Sequence, residues 1–139
     1  MWGKSPKDEG NRRSIYVIVR RSLLVPLLTD FDFADTDSPC AVRNLSTVPT
    51  QALNLLNSKF VNDQASDLAK RLRADSSDPA GQVRRGLTLA TGRAPAADEV
   101  QSCVDFMKRL EAENGLTPEQ SLERFALIAL NLNEFIYLD

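Results

Sequence analysis

The chain has 139 residues, with 17 Lys and Arg against 19 Asp and Glu, a net charge of −2 and no histidine. That length suits a single domain burying roughly two thirds of its unfolded surface without staples, and the near-neutral balance argues against a nucleic-acid partner, which needs a clear positive excess. Without His the chain cannot build a Ser-His-Asp or Cys-His nucleophile, a His-containing zinc site or a His-ligated haem, and its two cysteines, Cys40 and Cys103, cannot form a four-thiolate site.

Residues 1–14, "MWGKSPKDEGNRRS", are polar and read as a loose start. Trp2 is the exception and is expected to pack on this chain or on a neighbour. No signal peptide is visible, and the opening reads as part of a longer protein. Ile15-Tyr16-Val17-Ile18-Val19 is β-prone, but no second run offers itself as a strand partner. A lone strand leaves main-chain groups unmet, so this run is expected as an extended or helix-leading segment buried against helices. Leu23–Leu28 is apolar, with Pro26 limiting any helix. An acidic loop follows, holding Asp30, Asp32, Asp35 and Asp37.

Helices are expected from Thr47, which can cap a first turn holding Pro49. Ala52, Leu53, Leu55 and Leu56 predict a short, mostly buried helix. Asn57-Ser58 can close it and cap the next, over about 59–74, with Val61, Ala65, Leu68, Ala69 and Leu72 on one face. Asp78-Pro79 opens a third helix carrying Val83, Leu87 and Ala90, and Gly92 stops it. Val100, Cys103, Val104, Met107 and Leu110 stripe a fourth, broken at Gly115. Thr117-Pro118-Glu119-Gln120 is a capping box for a fifth. Leu122, Phe125, Ala126, Ala129, Leu130 and Asn133 face one way, and Leu127, Ile128 and Leu132 widen that face, which marks the helix as central. The expected fold is all-α: a compact bundle of about five helices at 47–139, with an irregular arm at 1–46 wrapped on it, together one domain over 1–139. No window approaches the ~20 apolar residues of a membrane span.

The stretches "RRSIYVIVRRSLLVPLLTDFDFADTDSP", "RNLSTVPTQALNLLNSKFV", "ATGRAPAADEV" and "LIALNLNEFIYLD" together resemble one family. It is the C-terminal domain of unknown function found in planctomycete-type proteins that also carry cytochrome-c-like domains. The matching positions are Arg12, Arg13, Tyr16, Arg20, Phe31, Asp32, Arg43, Asn44, Thr47, Pro49, Gln51, Ala52, Leu53, Asn57 and Phe60. Ala41-Val42 and Ala96 depart from the pattern; a Thr often caps the fourth helix where Ala96 stands. The resemblance implies a large exported parent, periplasmic or associated with the cell envelope, in bacteria that degrade complex polysaccharides. It implies no catalytic residue and no cofactor in this stretch, with haem c a matter for another domain of the parent.

Candidate binding residues are Arg12, Arg13, Tyr16, Arg20, Asp32, Arg43, Asn44, Gln51 and Asn57. The Arg cluster can grip a sulfate or carboxylate through the guanidinium fork. Against that, seven basic residues face six acidic ones in residues 1–44, so mutual pairing is the simpler reading. Asn44, Gln51 and Asn57 can bind a sugar hydroxyl or a peptide, but amides more commonly satisfy main-chain groups at such joints. The four loop aspartates resemble part of a calcium loop but lack its Gly and its closing Glu. The leading expectation, motivated by Trp2 and the wide apolar face of the last helix, is a non-catalytic helical domain docking on other domains of its own parent. The alternatives are a module for anionic, sulfated glycans and a contribution to an oxidoreductase site completed by other domains.

Overall fold

The structure, a computed structural model, describes residues 12–20, 24–34, 36–37, 39, 41–42, 46 and 48–137. Among these the fold is all-α, with seven α-helices, one 3-10 turn and no strand. The chain divides into two compact units, Met1–Val48 and Pro49–Asp139.

In the first unit a 3-10 turn, Ser14–Tyr16, is closed by Tyr16 N–H on Arg13 O and Val17 N–H on Ser14 O, both at 3.0 Å. The chain then becomes extended at Val17. Contrary to expectation this run is not buried: every residue from Arg12 to Arg20 is exposed. A β-prone run is covered most readily within a sheet, and no strand is present among the described residues. Helix α1, Pro26–Asp30, starts on Pro26, where a missing N–H leaves no bond unmade. After α1 the chain turns through Asp32, which sits at φ 55. The left-handed region disfavours residues with a Cβ, but Asp is among those that enter it. Its carboxylate repays the strain by accepting Ser46 N–H at 2.6 Å and the Ser46 hydroxyl at 2.9 Å, which closes the acidic loop on itself.

The second unit carries α2 (Pro49–Asn57), α3 (Lys59–Asp75), α4 (Pro79–Thr91), α5 (Ala97–Asn114), α6 (Pro118–Ala129) and α7 (Asn133–Ile136). Local chemistry sets most of the boundaries. Ser58 Oγ accepts Val61 N–H to open α3. Asp78 Oδ2 accepts Gly81 N–H to open α4, and Gly92 ends it at φ 71. Thr117 and Gln120 complete the reciprocal capping box of α6. At α5, Ala96 has no side-chain acceptor, so only the reverse half of a box forms, with Glu99 accepting Ala96 N–H at 2.7 Å.

Helix α6 packs against α3, α5 and α4, and is the central element. Leu122, Phe125, Ala126, Leu127 and Ala129 are all buried there. They meet Val61, Ala65, Ala69 and Leu72 of α3, Val83 and Leu87 of α4, and Val100, Val104 and Met107 of α5. The wide apolar face of α6 is thus consumed inside the unit, leaving Ile128 as its exposed large apolar side chain. Gly86 permits the α3–α4–α6 junction, since a Cβ there would lie 2.7 Å from Phe125 Cε1 and 3.1 Å from Leu72 Cδ1. The polar side chains buried in this unit are bonded. Ser121 donates to Glu111 Oε1 at 2.6 Å, and Gln82 donates to Ser76 O at 2.8 Å. The expected last helix ends early, at Ala129, because Asn131 Nδ2 takes up Leu127 O at 2.7 Å and Leu132 turns extended before α7.

Helix α2 corrects another expectation. Its buried residue is Gln51, whereas Leu53 and Leu56 lie open and Leu55 is only half-buried. No helix of the described residues is long and apolar enough to cross a membrane.

Candidate functional site

The candidate binding residues fall into three groups. Arg12, Arg13, Tyr16 and Arg20 share one exposed stretch, with the Arg12 guanidinium 5.9 Å from the centre of the Tyr16 ring, a cation–π distance. Asp32 belongs to the Ser46 clamp, which engages both of its oxygens. Gln51 is buried on α2, its Oε1 approached by the Tyr137 hydroxyl at 3.4 Å. Asn57 is exposed and donates to Leu53 O, closing its own helix. Arg43 and Asn44 lie outside the described residues, as do Trp2, Cys40 and the expected cap Thr47.

Sequence reasoning missed a cleft of about 310 Å³ in the second unit. Leu87 and Thr91 of α4, Arg93 and Pro95 of the following turn, Asp98, Glu99, Ser102 and Cys103 of α5, and Leu132 and Glu134 line it. Arg93 grips Glu99 through both guanidinium arms, Nη1 on Oε2 at 2.8 Å and Nη2 on Oε1 at 2.6 Å. That pairing, helped by Ala96 N–H, pulls the Glu99 carboxyl down to about 2. Glu99 in return raises Arg93 above its ordinary range. Cys103 is a free, half-buried thiol. Burial pushes its pKa up, and neighbouring Glu99 adds to the effect, so the thiol stays protonated at neutral pH. The cleft therefore pairs a carboxylate already committed to an arginine and a helix start with an unactivated thiol. One signal for it was legible: Glu99 sits three residues after Ala96, the second half of a capping box.

The other notable surface is apolar. Leu53 is 56% exposed, Leu56 43% and Phe60 48%, on α2 and the first turn of α3. Phe135 and Tyr137, near the end of the described chain, are exposed to a similar degree.

A family model, PSD1: Protein of unknown function (DUF1553), matches residues 2–107. The chain belongs to that family. The PSD1 match takes in the Arg12–Arg20 stretch, the exposed leucines of α2 and most of the cleft lining, and it stops within α5. The central helix α6 lies beyond it. No curated protein and no solved structure matches the chain.

Proposed function

We propose that this PSD1-family chain is a non-catalytic helical docking domain that seats on other domains of a larger exported protein. The observation that supports this reading is the open α2 face. Leu53 and Leu56 stand one turn apart, Phe60 follows on α3, and all three remain exposed after the core has formed from α3 to α6. Fully burying such a side chain is worth about 1.5–3 kcal/mol, so covering three half-open ones would contribute several kcal/mol to association. Exposed large apolar side chains grouped this closely in the chain are candidates for an interaction site. The cleft argues in the same direction, since its Glu99 and Cys103 are held in unreactive states.

On this reading the partner is the remainder of the parent polypeptide, exported to the periplasm or envelope, and any haem c belongs to one of its other domains. The test is a calorimetric titration of the 139-residue chain with the remaining domains, produced separately. Micromolar or tighter association that is lost in Leu53→Ser/Leu56→Ser supports docking through α2. Absence of association, or binding unchanged by the double substitution, refutes it.

A further inference from the structure

We propose that the cleft between α4 and α5 receives one arginine side chain of a partner polypeptide, its stem on the apolar floor and its guanidinium on the acidic rim. This contact is separate from the α2 face, and either can fail without the other.

The cleft is graded from apolar to acidic. Leu87, only 8% exposed, is its buried floor. Pro95, Cys103 and Leu132 are half-buried around it. Asp98, Ser102 and Glu134 are exposed and form the rim with Arg93. The volume of about 310 Å³ lies at the small end of ligand sites, which run from about 300 to 1,000 Å³, and suits one long side chain. Small-molecule sites enclose most of their ligand. This rim stays open, as a side chain tethered to a main chain requires.

Charge selects what enters. The lining carries one cation, Arg93, against three carboxylates, Asp98, Glu99 and Glu134. Arg93 and Glu99 neutralise one another through two bonds. Glu134 acts on Arg93 only through its field. Among the described residues no hydrogen bond or ion pair engages the carboxylate of Asp98 or Glu134. A negative excess therefore remains at the mouth, above an apolar floor, and disfavours an anion. A metal ion fits poorly, since among the described residues no three His, Cys, Asp or Glu come together to hold one. An organic cation with an apolar stem satisfies both the floor and the rim. Arginine suits it better than lysine. Its guanidinium is the more weakly hydrated and meets a carboxylate through two bonds, and its methylenes can lie along apolar surface.

The test uses the isotope-labelled 139-residue chain and a capped Gly-Arg-Gly peptide, with main-chain amide shifts followed by NMR at low salt. Expected is saturable movement centred on Thr91, Asp98, Ser102, Cys103 and Leu132, with a roughly millimolar Kd. Affinity should fall about fivefold to tenfold in Asp98→Asn/Glu134→Gln, which removes two exposed charge pairs. It should stay unchanged in Leu53→Ser/Leu56→Ser. Gly-Lys-Gly should bind more weakly, and Gly-citrulline-Gly, which keeps the shape without the charge, should not bind. Absence of shifts at the cleft, equal binding of the citrulline peptide, or affinity unchanged by Asp98→Asn/Glu134→Gln overturns the proposal. So does tighter binding of free butylguanidinium than of the peptide, which would make the cleft a small-molecule site.

Discussion

Gly86→Ala tests how tightly α3, α4 and α6 meet. In an exposed helix this change stabilises by about 1 kcal/mol, because Ala is the better helix former. Here the new methyl would stand 2.7 Å from Phe125 Cε1 and 3.1 Å from Leu72 Cδ1. Phe125 is 1% exposed and Leu72 0%, so neither can swing into solvent. Overpacking costs about 1–3 kcal/mol, and a collision with the edge of an enclosed ring belongs at the upper end. The net expectation is a loss of about 2 kcal/mol after the propensity gain is subtracted. With a urea slope of about 2 kcal/mol/M, the midpoint of the far-ultraviolet circular dichroism transition should fall by about 1 M. Combining the change with Phe125→Leu, which trims the obstructing ring edge, should cost about 1 kcal/mol less than the sum of the two single changes. An unchanged or raised midpoint for Gly86→Ala would refute the close approach.

Three further outcomes are expected. Phe125→Ala should cost about 3–5 kcal/mol by urea denaturation, since it empties the centre of the core. Glu99, with its folded pKa near 2 against the ordinary 4.5, contributes stability that is present above about pH 4.5 and is lost as pH falls toward 2; Glu99→Gln should therefore flatten the dependence of the urea midpoint on pH in that window. Gly115 holds φ 64 at the end of α5 with no atom within 4 Å of an added Cβ, so Gly115→Ala should destabilise by about 1 kcal/mol through backbone strain alone, again read from the urea midpoint.

Much of the second unit was legible because its determinants are local. Ser58, Asp78-Pro79, Gly92 and Thr117-Pro118-Glu119-Gln120 each fix a helix end through groups within a few residues, and the apolar stripes of α3 to α6 follow helical spacing. The misreadings share a different cause. Leu53 and Leu56 have the spacing of a buried face, but periodicity does not say whether this chain supplies the cover. Ile15–Val19 is the same case for a strand. The break after Ala129 depends on Asn131 preferring Leu127 O, a competition that a run of apolar residues conceals. The cleft and the Gly86 junction arise from residues far apart in sequence. Among the candidate residues, Gln51 was singled out by its motif context, whereas its burial on an otherwise open helix came only from the structure.

The docking account is tested most directly by the heat-capacity change of association between the 139-residue chain and the remaining domains of its parent, from titrations at several temperatures. Expected is a clearly negative value that shrinks in Leu53→Ser/Leu56→Ser and changes little with salt, the signature of buried apolar surface. Association with no heat-capacity change and a steep loss of affinity on adding salt would contradict it, because charge rather than the α2 face would then hold the complex together.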